Sequence, residues 1–277
     1  MKAALAIGLG ALAAAVGPAA ADVPPAAASV APPVPGAAQD RLLLSVNGET
    51  LSGGSGGGGA EALWAHTFES ADTLSGGAEY QQVSNAHWTD GVLGGSLALG
   101  QGASTDLYAE AHEGAGDLAM RGFHYNVETI GALETPLSWL SVQVEERRID
   151  VDTSHGNLPK LGLSLRATPA LLVSVSYADT AGGNLGTRLA TLRVDYSSRV
   201  VTALAGIAGG HASPNVLNLL GQVIQSSPTL TELFAGVGRS IGRADWQLLA
   251  DYQHLGGFKR TTLTLACTLH LGGQGRP

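Results

Sequence analysis

A net charge of −8 on 277 residues, with charged side chains at only 14%, argues against a nucleic-acid partner. The single cysteine, Cys267, excludes an internal disulfide. No His/Cys/Asp/Glu run has metal-ligand spacing and no Gly-rich loop is followed by the Lys and helix of a phosphate cradle, so no cofactor is expected.

In chain order, the first 21 residues read as a signal peptide. Lys2 supplies the positive start, Ala3 to Val16 the apolar run, and Ala19-Ala20-Ala21 a small-residue cleavage site. The run is too short and too poor in Leu and Ile for a good membrane-spanning helix. Residues 22–40, "DVPPAAASVAPPVPGAAQD", are Pro/Ala-rich and without periodicity, and are expected to form an extended periplasmic tether. The folded part is expected over 41–271, with 272–277 as a tail. Export without disulfides, with few charges and 39 glycines, suits an outer-membrane barrel better than a secreted soluble enzyme.

From residue 42 onward the alternation is period two. Strands are predicted near 42–51, 58–68, 74–83, 91–99, 106–113, 122–133, 138–149, 160–167, 171–179, 187–196, 199–209, 230–239, 245–254 and 259–270. The pattern is plainest where Leu171, Val173, Val175 and Tyr177 oppose Ser174 and Ser176. It recurs where Ala190, Leu192, Val194 and Tyr196 oppose Thr191, Arg193 and Asp195. In the strand after Trp246, Leu249 breaks the rule. Tight connections at 134–136, 168–170, 197–199 and 242–244 alternate with longer ones at 150–159, 179–186 and 210–229. Short turns at one end, longer loops at the other and an even strand number form the bacterial transmembrane-barrel signature. Spans of roughly 9–11 residues suit tilted strands crossing the hydrocarbon core. The fold expected is therefore all-β, an antiparallel up-and-down transmembrane β-barrel of about 14 strands (12–14). A soluble sandwich is the alternative, and no helical stretch is available to cover its sheets. On the barrel reading, Leu171, Val173, Val175 and Tyr177 face lipid and the serines face the lumen.

Three stretches carry a family likeness: "FHYNVETIGALETPLSWLSVQVEERRIDVD" (Phe123 to Asp152), "GLSLRATPALLVSVSYADT" (Gly162 to Thr180) and "LATLRVDY" (Leu189 to Tyr196). Their strand lengths and Pro turns resemble the YaiO-like outer-membrane β-barrel family. The resemblance implies an outer-membrane barrel and supplies no catalytic residues. Two features depart from the pattern. Aromatics make up only 5%, and the chain closes "TLHLGGQGRP" without the aromatic that usually ends an assembly signal, leaving Leu269 in that place.

Three groups of residues are candidates for chemistry. His211 and Ser213 have the H-x-S spacing of a lipid hydrolase, in which His takes the Ser proton. Ser213 before Pro214 also reads as an N-cap and first helical position. A short helix is accordingly expected over Pro214–Gln225, in which Val216, Leu220 and Val223 could form a constriction. "EERRIDVD", Glu145 to Asp152, pairs carboxylates with Arg147 and Arg148 and reads as a charged rim, with an arginine able to meet lipopolysaccharide phosphates. Glu79, Glu110, His112, His124, Glu128, Arg166, Arg193, Asp195, Asp251 and His270 are expected to face the lumen. The function expected is a pore or export-associated envelope component. A lipid-modifying barrel enzyme and a structural or adhesive surface barrel are the alternatives. Expected partners are outer-membrane lipid, lipopolysaccharide and the outer-membrane assembly machinery, with a monomeric state.

Overall fold

Residues with alternating polarity can satisfy every backbone group without a helix only by pairing with neighbours on both sides, and a closed ring of strands leaves no edge. The computed structural model resolves this chain into such a ring. It describes residues 38–271, apart from 53, 55, 84–85, 100–104, 119–120, 152–153, 184–185, 212–228 and 256–257. The strands are β1 (Gln39–Leu51), β2 (Gly56–Thr67), β3 (Thr73–Val83), β4 (Ala86–Leu99), β5 (Thr105–Leu118), β6 (Arg121–Leu137) and β7 (Leu140–Val151). They continue as β8 (Ser154–Thr168), β9 (Leu171–Asp179), β10 (Arg188–Ser197), β11 (Val201–His211), β12 (Thr229–Ile241), β13 (Ala244–Leu255) and β14 (Phe258–Leu271). Each pairs antiparallel with its sequence neighbours, and β14 pairs with β1 to close the barrel. All fourteen expected strands are present. The described residues contain no helix long and apolar enough to cross a membrane; a barrel crosses with its strands.

An even strand number puts the first and last strands' outer ends together. That end carries two-residue connections at 138–139, 169–170 and 242–243, but connections as short fall at the other end, at 84–85, 119–120, 152–153 and 256–257, so the expected segregation of short turns to one end is not seen. In the 242–243 turn, Gly242 adopts φ 63°, a conformation a side chain resists and a two-residue hairpin turn needs. Between β2 and β3, the Asp72 carboxylate accepts from the Ser70 hydroxyl at 2.7 Å and the Ala98 N–H at 3.0 Å. These hydrogen bonds, that of Ser70 first, hold it below the ordinary carboxylate range. At the opposite end the 180–187 loop joins β9 to β10.

The expected loop at 150–159 is corrected. β7 runs through Val151 and β8 begins at Ser154, so most of the segment is a tall hairpin. Polarity misleads here because a strand that rises beyond lipid is wet on both faces and loses its alternation, while its backbone ladder continues. The expected helix, with Val216, Leu220 and Val223, lies outside the described residues, in the connection between β11 and β12.

The alternation sets the two faces. Val175 and Tyr177 are each 47% exposed on the outside, while Ser174 turns inward and meets Ser164 Oγ at 2.8 Å. Leu93, Leu97, Ile130, Val144, Leu161, Val237 and Leu263 are all more than half exposed on the same outer surface. In water so large an apolar surface would drive association; in a bilayer it is the solvated face. Exposed Trp64, Phe68, Trp139, Tyr196 and Trp246 stand toward the end where β1 starts and β14 finishes, and Tyr80 and Tyr177 toward the other. This is the arrangement of interfacial girdles. Leu249, the exception to the pattern, is inward: it stands between Asp251 and Gln247, opposite Thr264.

Glycine opposite an inward aromatic is a repeated device. Tyr125 lies across from Gly114, Tyr108 from Gly131 and Phe234 from Gly206. A Cβ at any of these glycines would collide with the ring. The bare backbone gives each ring a place to lie flat on the wall, where it covers the exposed strand.

Candidate functional site: the barrel interior

Inward positions on β12, β13 and β1–β5 carry mostly acids. Glu61, Glu79 and Asp90 sit side by side in one register row. Asp90 is buried and accepts from the Tyr125 hydroxyl at 2.8 Å. His112 reaches Asp90 at 3.5 Å and Glu110 at 2.7 Å, so one imidazole bridges two carboxylates. The Ser45 hydroxyl donates to Glu61 at 2.9 Å, and the Asn47 and Gln81 amides exchange hydrogen bonds. Glu49 is gripped by Arg260, with Nε at 2.7 Å and Nη2 at 2.6 Å, across the β1–β14 seam. Glu232 and Asp251 complete this side.

The other side, β7–β10, carries Arg147, Lys160, Arg166 and Arg193. Buried Glu145 organises part of it, accepting from Tyr108 at 2.8 Å and lying 3.4 Å from Arg147 and 3.8 Å from Lys160. Gln143 bonds the same tyrosine oxygen at 2.7 Å. Arg193 is clasped by Asp195 two residues along, its Nε 2.8 Å from one carboxylate oxygen. Bases therefore cluster on one arc and acids on the facing arc, with Arg41, Arg260, Glu145 and Asp195 as the interleaved exceptions. Such a division sets up a field across the interior, and the acidic excess makes it attractive to cations.

Of the residues singled out from the sequence, Glu79, Glu110, His112, Arg166, Arg193, Asp195, Asp251 and His270 lie on inward positions. His270 meets Asp245 at 2.7 Å. Glu128 and His124 lie on the other face. Glu128 is in register with Ala111 and Arg148 and shares its side with Ile130, which is 59% exposed, while Tyr125, Val127 and Thr129 turn in and are buried. The rim segment splits likewise: Glu145 and Arg147 inward, Arg148 and Asp150 outward and joined at 2.9 Å. His211 ends β11 on the outward side, and Ser213 lies outside the described residues. Cys267 is outward between Leu44 and Trp246 and is covered by them. Sequence reasoning missed Glu49, Glu61, Asp90, Glu232 and Arg260, and read Glu145 as rim when it lies in the interior. Each has the opposite parity to an exposed Leu, Val or Trp on its strand, a signal that counting outward from those residues would have exposed.

No family model matches this chain, and no curated protein does. Among solved structures, the TodX monoaromatic hydrocarbon channel in its deltaS2 form is similar at TM-score 0.61 and 8% identity, over 90% of this chain and 93% of that one. The Pseudomonas putida toluene transporter TodX is similar at 0.57 and 10%, over 92% and 93%. The KdgM porin gives 0.46 at 11% identity, over 81% and 97%. At such identities the TodX likeness shows the fold alone, that of an outer-membrane β-barrel.

Proposed function

We propose that this chain is a pore-forming integral protein of the Gram-negative outer membrane, and that its pore prefers cations. The observation that carries the reading is a closed barrel, apolar outside, whose inner wall sets an acidic arc against a basic one. The end where β1 starts and β14 finishes, with the Pro/Ala tether, faces the periplasm, and an N-terminal signal peptide delivers the chain. Lipid and lipopolysaccharide are its surroundings, the outer-membrane assembly machinery inserts it, and it acts as a monomer without a cofactor. The YaiO-like strand and turn layout of 123–196 supports the same class. The TodX channels are similar in fold, but an interior this charged favours ions and polar solutes over monoaromatic hydrocarbons. Proteoliposomes holding the folded barrel, verified by heat-modifiable gel mobility, should swell in isosmotic arabinose while empty liposomes do not. Folded barrel that gives no swelling would overturn the pore.

A further inference from the structure

Close to the seam where β14 meets β1, three inward side chains stand in one register row: Asp251, Thr262 and Glu49. Glu232 lies diagonally above, fully buried, with its carboxyl group against that of Asp251. Arg260 grips Glu49 through Nε and Nη2, while its Nη1 is buried without a hydrogen-bond partner. Glu232 and Asp251 are left as two carboxyl groups in contact, within the field of that one guanidinium. Both oxygens of Glu232, Oδ2 of Asp251 and the Thr262 hydroxyl are buried without a hydrogen-bond partner. Burying unpaired carboxylates costs several kcal/mol, so a positive charge belongs here.

The chemistry of the orphaned atoms selects its kind. They are all hard oxygens. With Glu49 neutralised by Arg260, the charge left over is that of two carboxylates, which matches a divalent ion. No set of three acidic, His or Cys side chains among the described residues is arranged to hold a metal. Two carboxylates must therefore be completed by a hydroxyl and by water, an irregular oxygen set that calcium accepts and magnesium resists. We propose that Glu232, Asp251 and Thr262 form a buried site for one hard divalent cation of the calcium class, tying β12, β13 and β14 together beside the closing seam. The site is independent of whether the barrel conducts.

The test uses the whole barrel in detergent micelles free of lipopolysaccharide, stripped with EGTA and titrated with calcium alone. Calorimetry should show saturable binding, and calcium should raise the thermal unfolding midpoint over that in EGTA. The double variant Glu232→Gln/Asp251→Asn, its folding checked by gel mobility, should lose both effects, and Thr262→Val should weaken them. The wild-type titration decides the matter even if a variant does not fold. Absence of calcium binding to the wild type would overturn the site, as would undiminished binding by the folded double variant. If the midpoint ignores calcium and rises on acidification, the pair shares a proton and the metal assignment fails.

Discussion

Replacing Val175 by Arg tests the facing of the wall directly. Val175 is the fifth of the nine residues of β9 and stands between Leu163 and Leu192, both exposed on the outer surface. Nine residues at about 3.3 Å span roughly 30 Å, or about 23 Å of bilayer at a tilt near 40°, so the side chain lies close to the midplane. An arginine there costs about 2–4 kcal/mol. Ser176→Arg is the control on the other face. It stands between Gly162 and Thr191, with Lys160 and Arg193 two residues further along the neighbouring strands. Repulsion from each, about 7 Å away in water, is about 0.6 kcal/mol, so the two together set the cost of the lumenal substitution at about 1.2 kcal/mol, below the outward penalty. Reversible denaturant unfolding of the barrel from lipid vesicles, followed by tryptophan fluorescence, gives both numbers. Equal penalties would refute the assignment of faces.

Three further outcomes follow from the same geometry. An epitope tag at Gly183, in the 180–187 loop, should be labelled on intact cells and one at the C-terminus should not; the reverse pattern would invert the barrel. Gly131→Val should displace the Tyr108 ring from the wall and with it the hydroxyl that bonds Glu145, costing about 1–3 kcal/mol in the same unfolding assay; a neutral result would remove the packing role of that ring. Deleting 214–225 and bridging with a short Gly/Ser turn should leave a folded barrel with higher single-channel conductance, and unchanged conductance would mean that the segment is no constriction.

The strand ladder was legible in the sequence because lipid enforces it. Wherever the outside is hydrocarbon, each outward residue must be apolar and the period of two is plain, as in β9, β10 and β12–β14. Legibility fails where that pressure stops. The β7–β8 hairpin carries Arg148, Asp150, His155 and Asn157 on its outward side, and a sequence reader sees only a polar stretch. Glu128 was misplaced for the same reason: Val127 and Tyr125 fill inward positions, which reverses the usual polarity of the two faces. The interior is less legible still. Alternation shows which residues point inward, but Tyr125 meeting Asp90 joins strands two apart, and Arg260 meeting Glu49 spans the chain's two ends. Those contacts depend on register and closure, which no local pattern encodes.

The most direct test of the central claim is single-channel recording in planar bilayers under a tenfold KCl gradient. The account predicts discrete conductance steps from the folded barrel, with a reversal potential on the potassium side. Folded protein that gives no steps would contradict the pore, and a reversal potential on the chloride side would contradict the dominance of the acidic arc.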